Sequence, residues 1–300
     1  MMIPYTDFGG NGPELHFLHA NGYPPACYLP LLDMLKERYH VTAMHLRPLW
    51  PGSNPKELGA WHPMSDDLLL FLEEQELAPV IAVGHSIGAI VTLRAALRQP
   101  EKFRAQVLID PVLFPPRFIA AYNLLKASGL AYRLHPWILG ALRRRRVFDD
   151  PETLFKAYRR KHVFRHFSDQ NLRIYVNGIS KPRAAGGYEL AYSPEWEARI
   201  YFTSVWRDMD LWWGLPNLQV PTMIIRGAET DTFLSPTAHR VQKVNPAIFQ
   251  ETIRQATHLV ALEKPVQVHQ KIEWFLRIKL GQSGQPDRKS TRLNSSHGKL

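Results

Sequence analysis

The sequence predicts an α/β fold: a mostly parallel sheet with helices on both faces and a mainly helical segment inserted into it. Three observations carry this. Short apolar runs alternate with amphipathic helical stretches in the first and last thirds of the chain, the pattern of a parallel sheet. A glycine-flanked turn at 84–88 joins an apolar run directly to a helical one. The stretch 113–215 breaks the alternation, and about a hundred residues are too many for a plain loop, so it must carry structure of its own.

The elements follow in order. Residues 15–18 are a short apolar strand that ends at His19-Ala20-Asn21-Gly22. Residues 28–39 have helical periodicity and 41–46 form the next strand; 66–75 are again helical, followed by the apolar strand 80–83. The turn leads into a helix through about Arg98, stopped near Pro100, because proline cannot continue a helical hydrogen-bond ladder. Residues 106–110 are another buried strand, and Pro111, Pro115 and Pro116 mark the departure into the insertion. After Pro216 and Pro221 the alternation resumes: strand 222–226, helix 236–244, strand 248–253 and helix 265–278. The expected organisation is a core over 1–112 and 216–286 and a helical cap over 113–215. Only about a dozen residues precede the first parallel strand, so N-terminal antiparallel strands are expected to be missing or reduced to one short piece near residues 2–7.

Composition sets limits. Three hundred residues, 45% of them hydrophobic and 21% charged, are ample for a sizeable core and exclude wholesale disorder. The longest near-apolar run, 80–97, is interrupted by His85, Ser86, Thr92 and Arg94, so no membrane span is expected. No basic region followed by an apolar one opens the chain, so no secretory signal is expected either. The single cysteine, Cys27, excludes an internal disulfide and any cysteine-based zinc cluster. A cytoplasmic location is the expectation.

The net charge of +10 is local. Residues 113–215 hold 17 Lys and Arg against 9 Asp and Glu, together with 19 of the 33 aromatic residues. Residues 153–167 read there as one amphipathic helix, with Leu154, Phe155, Tyr158, Val163 and Phe167 on one side and basic residues on the rest. Such a segment is either a solvated face over a satellite core or a surface for weak contact with acidic lipid headgroups or anionic substrates. No nucleic-acid motif accompanies the charge, so nucleic acid is not an expected partner. Residues 287–300 add a further basic excess; 287–297 resemble the in-frame translation of a sequencing-adapter oligonucleotide and are set apart as a disordered tail.

The chemistry centres on Gly84-His85-Ser86-Ile87-Gly88, which matches Gly-x-Ser-x-Gly between a buried strand and a helix. A serine on that sharp turn projects at the N-terminus of the following helix, where developing negative charge is favoured. A hydroxyl is a poor nucleophile at neutral pH and needs a base, which in turn needs an orienting group. His258 lies in the loop between the last strand and the last helix, and Asp231 lies just past strand 222–226. Both follow the carboxyl ends of strands, where open parallel sheets gather their ligand sites. Glu229, two residues from Asp231, and Asp110, at the end of an earlier strand, are alternative acids.

With these motifs the chain resembles the α/β-hydrolase family over roughly residues 14–280, in particular its capped serine hydrolases. The resemblance implies that Ser86 is the nucleophile, His258 the general base and then acid, and Asp231 the group that holds the imidazole. It also implies two oxyanion donors, the backbone N–H of Ile87 and that of Asn21, with Ala20 standing where the family has glycine. His19 is expected to pack beneath that loop. The insertion would be a cap that shapes the pocket and excludes water. Trp206, Trp212 and Trp213 either line an apolar pocket, with Tyr23, or form the core of the cap and its seam with the sheet.

The expected activity is therefore hydrolysis of an ester, thioester or similar carbonyl compound with a hydrophobic moiety, through an acyl-enzyme. The same residues fit carbon–carbon bond hydrolysis, acyl transfer, or a hydrolase-like binding protein with little turnover. A serine nucleophile argues against haloalkane dehalogenase and epoxide hydrolase chemistry. No metal or cofactor is implied: His162 and His166, four apart in a basic stretch, come nearest to a ligand pair and read as surface histidines. The sequence leaves oligomeric state open.

Overall fold

A computed structural model describes residues 2–128 and 136–281; the tail at 287–300 lies outside the described residues. Strands β1 (Tyr5–Gly9), β2 (Glu14–Leu18), β3 (His40–Met44), β4 (Val80–His85) and β5 (Phe103–Ile109) precede the insertion. Strands β9 (Thr222–Gly227) and β10 (Phe249–Ile253) follow it. They form one sheet in the order β1-β3-β2-β4-β5-β9-β10. Only β1 is antiparallel, paired to β3 at the edge, so the N-terminal antiparallel part is indeed one short strand.

The central strands are buried on both faces, which is why they read as nearly continuous apolar runs. Alternation still divides their side chains. Leu15 and Phe17 of β2, Ile81 and Val83 of β4 and Ile225 of β9 enter one core cluster. Leu18, Val80, Ala82 and Ile224 enter the other. Helix α1 (Leu29–Leu35) and the helix Pro265–Leu280 cover the first face, α2 (His62–Glu74) and α3 (Ile87–Arg98) the second. The segment expected to be one helix over 28–39 is instead a 3-10 turn, Pro25–Tyr28, followed by α1.

The inserted segment is mainly helical: α4 (Pro116–Ala127), α5 (Pro136–Leu142), α6 (Pro151–Arg159), α7 (Asp169–Ile179), α8 (Pro194–Thr203) and α9 (Met209–Gly214). It also holds a small antiparallel sheet of β6 (Val147–Phe148), β8 (Tyr188–Leu190) and β7 (Ser180–Pro182), too short to leave a periodic signal. The helix expected over 153–167 ends at Arg159. Asp150 caps its start, accepting a bond from the Thr153 N–H at 2.6 Å. At its end Lys161 is extended, and the chain turns so that Phe164 and Phe167 pack on Tyr175 of α7. Aromatic packing overrides the helical periodicity there.

Specific bonds fasten the insertion to the core. Trp61 Nε1 donates to the Ile200 carbonyl at 3.2 Å, and Asn21 Nδ2 to that of Glu197 at 3.2 Å. Buried Arg94 on α3 pairs with Asp208 at 2.7 Å and with Asp210 at 2.7 Å. Gly178 of α7 lies so close to the 3-10 turn that a Cβ there would sit 2.7 Å from the Cys27 nitrogen. Among the described residues no helix is long and apolar enough to cross a membrane.

Candidate active site

Register brings the site together. Leu18 pairs with Gly84, His85 with Ile109, Ile109 with Ile225, and Ile253 with Gly227. The loops after β2, β4, β5, β9 and β10 therefore leave the sheet along one edge, carrying Asn21, Ser86, Asp110, Asp231 and His258.

Ser86 caps α3 with φ 59° and ψ −117°, a conformation an L-residue adopts only under constraint. The constraint is packing. A Cβ on Gly88 would lie 2.2 Å from the Leu18 carbonyl oxygen, and one on Gly84 2.6 Å from that of Gly88. Helix and strands approach too closely for any other residue at those positions, and the Ser86 N–H donates to the Ile109 carbonyl at 2.9 Å. Ser86 is 5% exposed, at the floor of a cavity of about 1240 Å³.

His258 Nε2 lies 2.9 Å from Ser86 Oγ, and its Nδ1 lies 2.8 Å from Asp110 Oδ1. The acid in line with the histidine is thus Asp110, not Asp231. Asp110 is fully buried with φ 41°, and its carboxylate accepts from the Gly227 N–H at 2.9 Å and the Thr230 hydroxyl at 2.6 Å. Its own N–H donates to the Ile225 carbonyl at 2.7 Å. Asp231 is exposed on the cavity rim, and its bonded neighbour is the Thr232 hydroxyl at 3.2 Å. Glu229 is engaged elsewhere, with Arg165 at 2.5 Å and His166 at 2.9 Å, which hold its carboxyl below the usual range. His162 is exposed at the cavity, in keeping with the surface histidine read from the sequence, and the half-buried His166 has a carboxylate partner.

Ile87 is the first residue of α3, so its N–H has no acceptor within the helix. Asn21 and Gly22 form a turn closed by the Tyr23 N–H to the Ala20 carbonyl at 3.2 Å. Asn21, Ile87, Ser86 and His258 all line the cavity.

Beneath them runs a buried chain of hydrogen bonds that sequence reasoning missed. His85 Nε2 donates to the His258 carbonyl at 2.8 Å. Its Nδ1 is then the acceptor for the Tyr28 hydroxyl at 2.7 Å, and the Tyr28 oxygen accepts from the Ala20 N–H at 3.2 Å. Burial pushes the His85 imidazole down to about 3, which keeps it neutral and fixes these roles. His19 acts similarly: its Nε2 accepts from the Leu46 N–H at 3.0 Å and its Nδ1 donates to the Ala20 carbonyl at 2.8 Å. The loops that carry Asn21, Ser86 and His258 are one bonded unit. The histidine in the Gly-x-Ser-x-Gly string was the available signal.

Tyr23 lines the cavity, but Trp206, Trp212 and Trp213 do not. Trp212 is buried in the seam and donates to the Phe114 carbonyl at 2.7 Å; Lys126 sits over Trp206, and Trp213 is 71% exposed. The aromatic lining comes instead from Trp61, Phe114, Phe118, Tyr122 and Trp137. Among the described residues no group of three or more His, Cys, Asp or Glu is gathered as a metal site.

Comparisons with known proteins agree with this fold. A family model described as the alpha/beta hydrolase family matches residues 17–271. The (E)-2-((N-methylformamido)methylene)succinate hydrolase of Acinetobacter baylyi is 20% identical over 275 residues, covering 89% of this chain and 91% of that protein. The crystal structure of an E-2-(acetamidomethylene)succinate hydrolase superposes with a TM-score of 0.73 at 20% identity, covering 91% and 94% of the two chains. A thioesterase domain from the curacin biosynthetic pathway superposes with a TM-score of 0.67 at 18% identity, covering 90% and 94%. At these identities the two superpositions speak to the fold.

Proposed function

The chain belongs to the alpha/beta hydrolase family, and on that premise we propose that it is a serine hydrolase acting on an ester, thioester or similar carbonyl substrate through an acyl-enzyme. The observation that carries this is the line Ser86 Oγ–His258–Asp110, with both contacts below 3.0 Å. His258 takes the proton as Ser86 Oγ attacks the carbonyl carbon. The imidazolium that forms is stabilised by the Asp110 carboxylate, which also holds the tautomer with its proton on Nδ1. The tetrahedral oxyanion accepts from the free N–H of Ile87 and from that of Asn21, at the positive end of α3. His258 then returns the proton to the leaving oxygen or sulfur. Water, deprotonated by the same imidazole, releases the acid and restores Ser86.

In this reading the insertion is the cap. Its helices and loops together supply most of the cavity wall, and the aromatic part of that wall suits a hydrophobic portion of the substrate.

The test is fluorophosphonate labelling of the wild type and of Ser86→Ala, with the adduct located by mass spectrometry, beside turnover of p-nitrophenyl esters of increasing acyl length. Labelling at Ser86 and turnover, both lost in Ser86→Ala, are the expected results. Folded wild-type protein that neither labels nor turns over any ester would overturn the reading.

A further inference from the structure

One wall of the cavity carries more positive charge than its carboxylates offset. Arg144, in the loop after α5, pairs through Nη2 with Glu197 Oε1 of α8 at 2.9 Å. Glu197 is 4% exposed, and its charge acts on the Lys161 ammonium as well as on Arg144. Tyr23, Tyr158 and Lys161 line the cavity together with Arg144 and Glu197, and the Tyr23 and Tyr158 rings both pack on Tyr175. Lys161, exposed towards the cavity, lies 4.2 Å from the centre of the Tyr158 ring, and no carboxylate among the described residues forms an ion pair with it. The Tyr158 hydroxyl is the telling atom. The residue is 4% exposed and lines the cavity, yet its hydroxyl has no hydrogen-bond partner. A buried hydroxyl without a partner costs free energy unless a ligand supplies one.

We propose that Arg144, Lys161 and the Tyr158 hydroxyl form a carboxylate subsite, so that the substrate carries a free carboxylate besides its scissile carbonyl. Arg144 and Lys161 against Glu197 leave one positive charge, and Arg143 and Arg145, exposed in the same lining, add to it, so this wall favours an anion. The remaining guanidinium N–H groups, the ammonium and the phenolic O–H are all donors, and a carboxylate offers only acceptors. The subsite lies beside the oxyanion turn, since a Cβ on Gly22 would be 3.6 Å from the Glu197 carboxyl carbon. Arg165 is already held by Glu229 and does not take part.

The proposal deepens the serine-hydrolase reading and borrows from it only the use of turnover as a readout. Two pairs of esters test it: phenyl hydrogen adipate against phenyl hexanoate, and 4-acetoxybenzoate against phenyl acetate, with the carboxylate on the acyl and the leaving side respectively. In one pair or the other the wild type is expected to favour the carboxylate ester by about tenfold or more in kcat/KM, a charged hydrogen bond's worth. Lys161→Met, Tyr158→Phe and the charge-neutral double variant Arg144→Met with Glu197→Gln should each bring that ratio towards one. Because the ratio is internal to each protein, a partly misfolded variant does not mimic the effect. Adipate should inhibit hydrolysis of the neutral esters competitively and inorganic phosphate should not; inhibition by phosphate alone would overturn the carboxylate assignment. A ratio at or below one in both pairs, or one unchanged in Lys161→Met and Tyr158→Phe, would overturn the subsite. If Ser86 proves not to label and no ester turns over, the serine-hydrolase reading fails separately. Calorimetric titration of wild type and Lys161→Met with adipate then decides the subsite: binding weakened about tenfold in the variant supports it, and absent or equal binding overturns it.

Discussion

Asp110 is a residue whose part was set by its hydrogen bonds. Both it and Asp231 follow strand ends, and the family resemblance points to Asp231 as the partner of His258. The difference is burial. Asp110 is enclosed and receives the Gly227 N–H, the Thr230 hydroxyl and His258 Nδ1, so it has one orientation. Asp231 stands in solvent at the rim. The same position sends Thr230, one residue before Asp231, back to support Asp110. Asp110→Asn is therefore expected to lower kcat by about 10⁴-fold, because an amide at that position favours the wrong imidazole tautomer. Asp231→Asn is expected to leave kcat for neutral esters within about threefold of wild type. Steady-state kinetics on one short-chain ester decides between them; equal losses in both variants would return Asp231 to the mechanism.

At the scale of elements, the strand-to-helix turn at Ser86 does not stand alone. Its neighbour His85 ties β4 to the loop after β10, and Tyr28 at the end of the 3-10 turn ties both to the loop after β2. Tyr28→Phe would keep the ring packing against Phe17 while removing the hydroxyl that serves both the Ala20 N–H and His85 Nδ1. The expected cost is about 1–3 kcal/mol for each buried group left without a partner. Urea denaturation should show that loss. Kinetics should show kcat falling more than KM changes, because the oxyanion turn would shift relative to Ser86. A variant as stable and as active as wild type would show that water replaces the hydroxyl. Element boundaries carry a related lesson. The helical pattern over 153–167 is real in its first half, but Phe164 and Phe167 have a better place on Tyr175 than on a continued helix.

For the molecule as a whole, the buried histidines link fold to pH. Burial pushes His16, His19 and His85 each down to about 3, while in the unfolded chain they titrate near 6.5. Between those values the unfolded state binds more protons, so stability is lost as pH falls below about 6.5. By pH 5 each histidine contributes a loss of about 2 kcal/mol. Denaturation midpoints measured from pH 7.5 to 5 should fall steeply. A flat profile over that range would mean that the three imidazoles are not held neutral.

The parallel sheet, its insertion, and the turn and loop that carry Ser86 and His258 were legible in the sequence alone. These rest on local information: apolar runs between turn residues, prolines at boundaries, and two glycines around a serine. Tertiary structure decided the rest. The choice of Asp110 depends on the pairing of β5 with β9 and on a loop after β10, 148 residues away from it in the chain. The place of Trp212 in the seam depends on which face of α9 meets Phe114, and the cavity's charged wall on how α5, α6 and α8 converge. Composition counts aromatic and basic residues but cannot say which of them face one another. Burial and hydrogen-bond partners are properties of the packed chain, and they alone separate the enclosed Asp110 carboxylate beside His258 from the exposed Asp231.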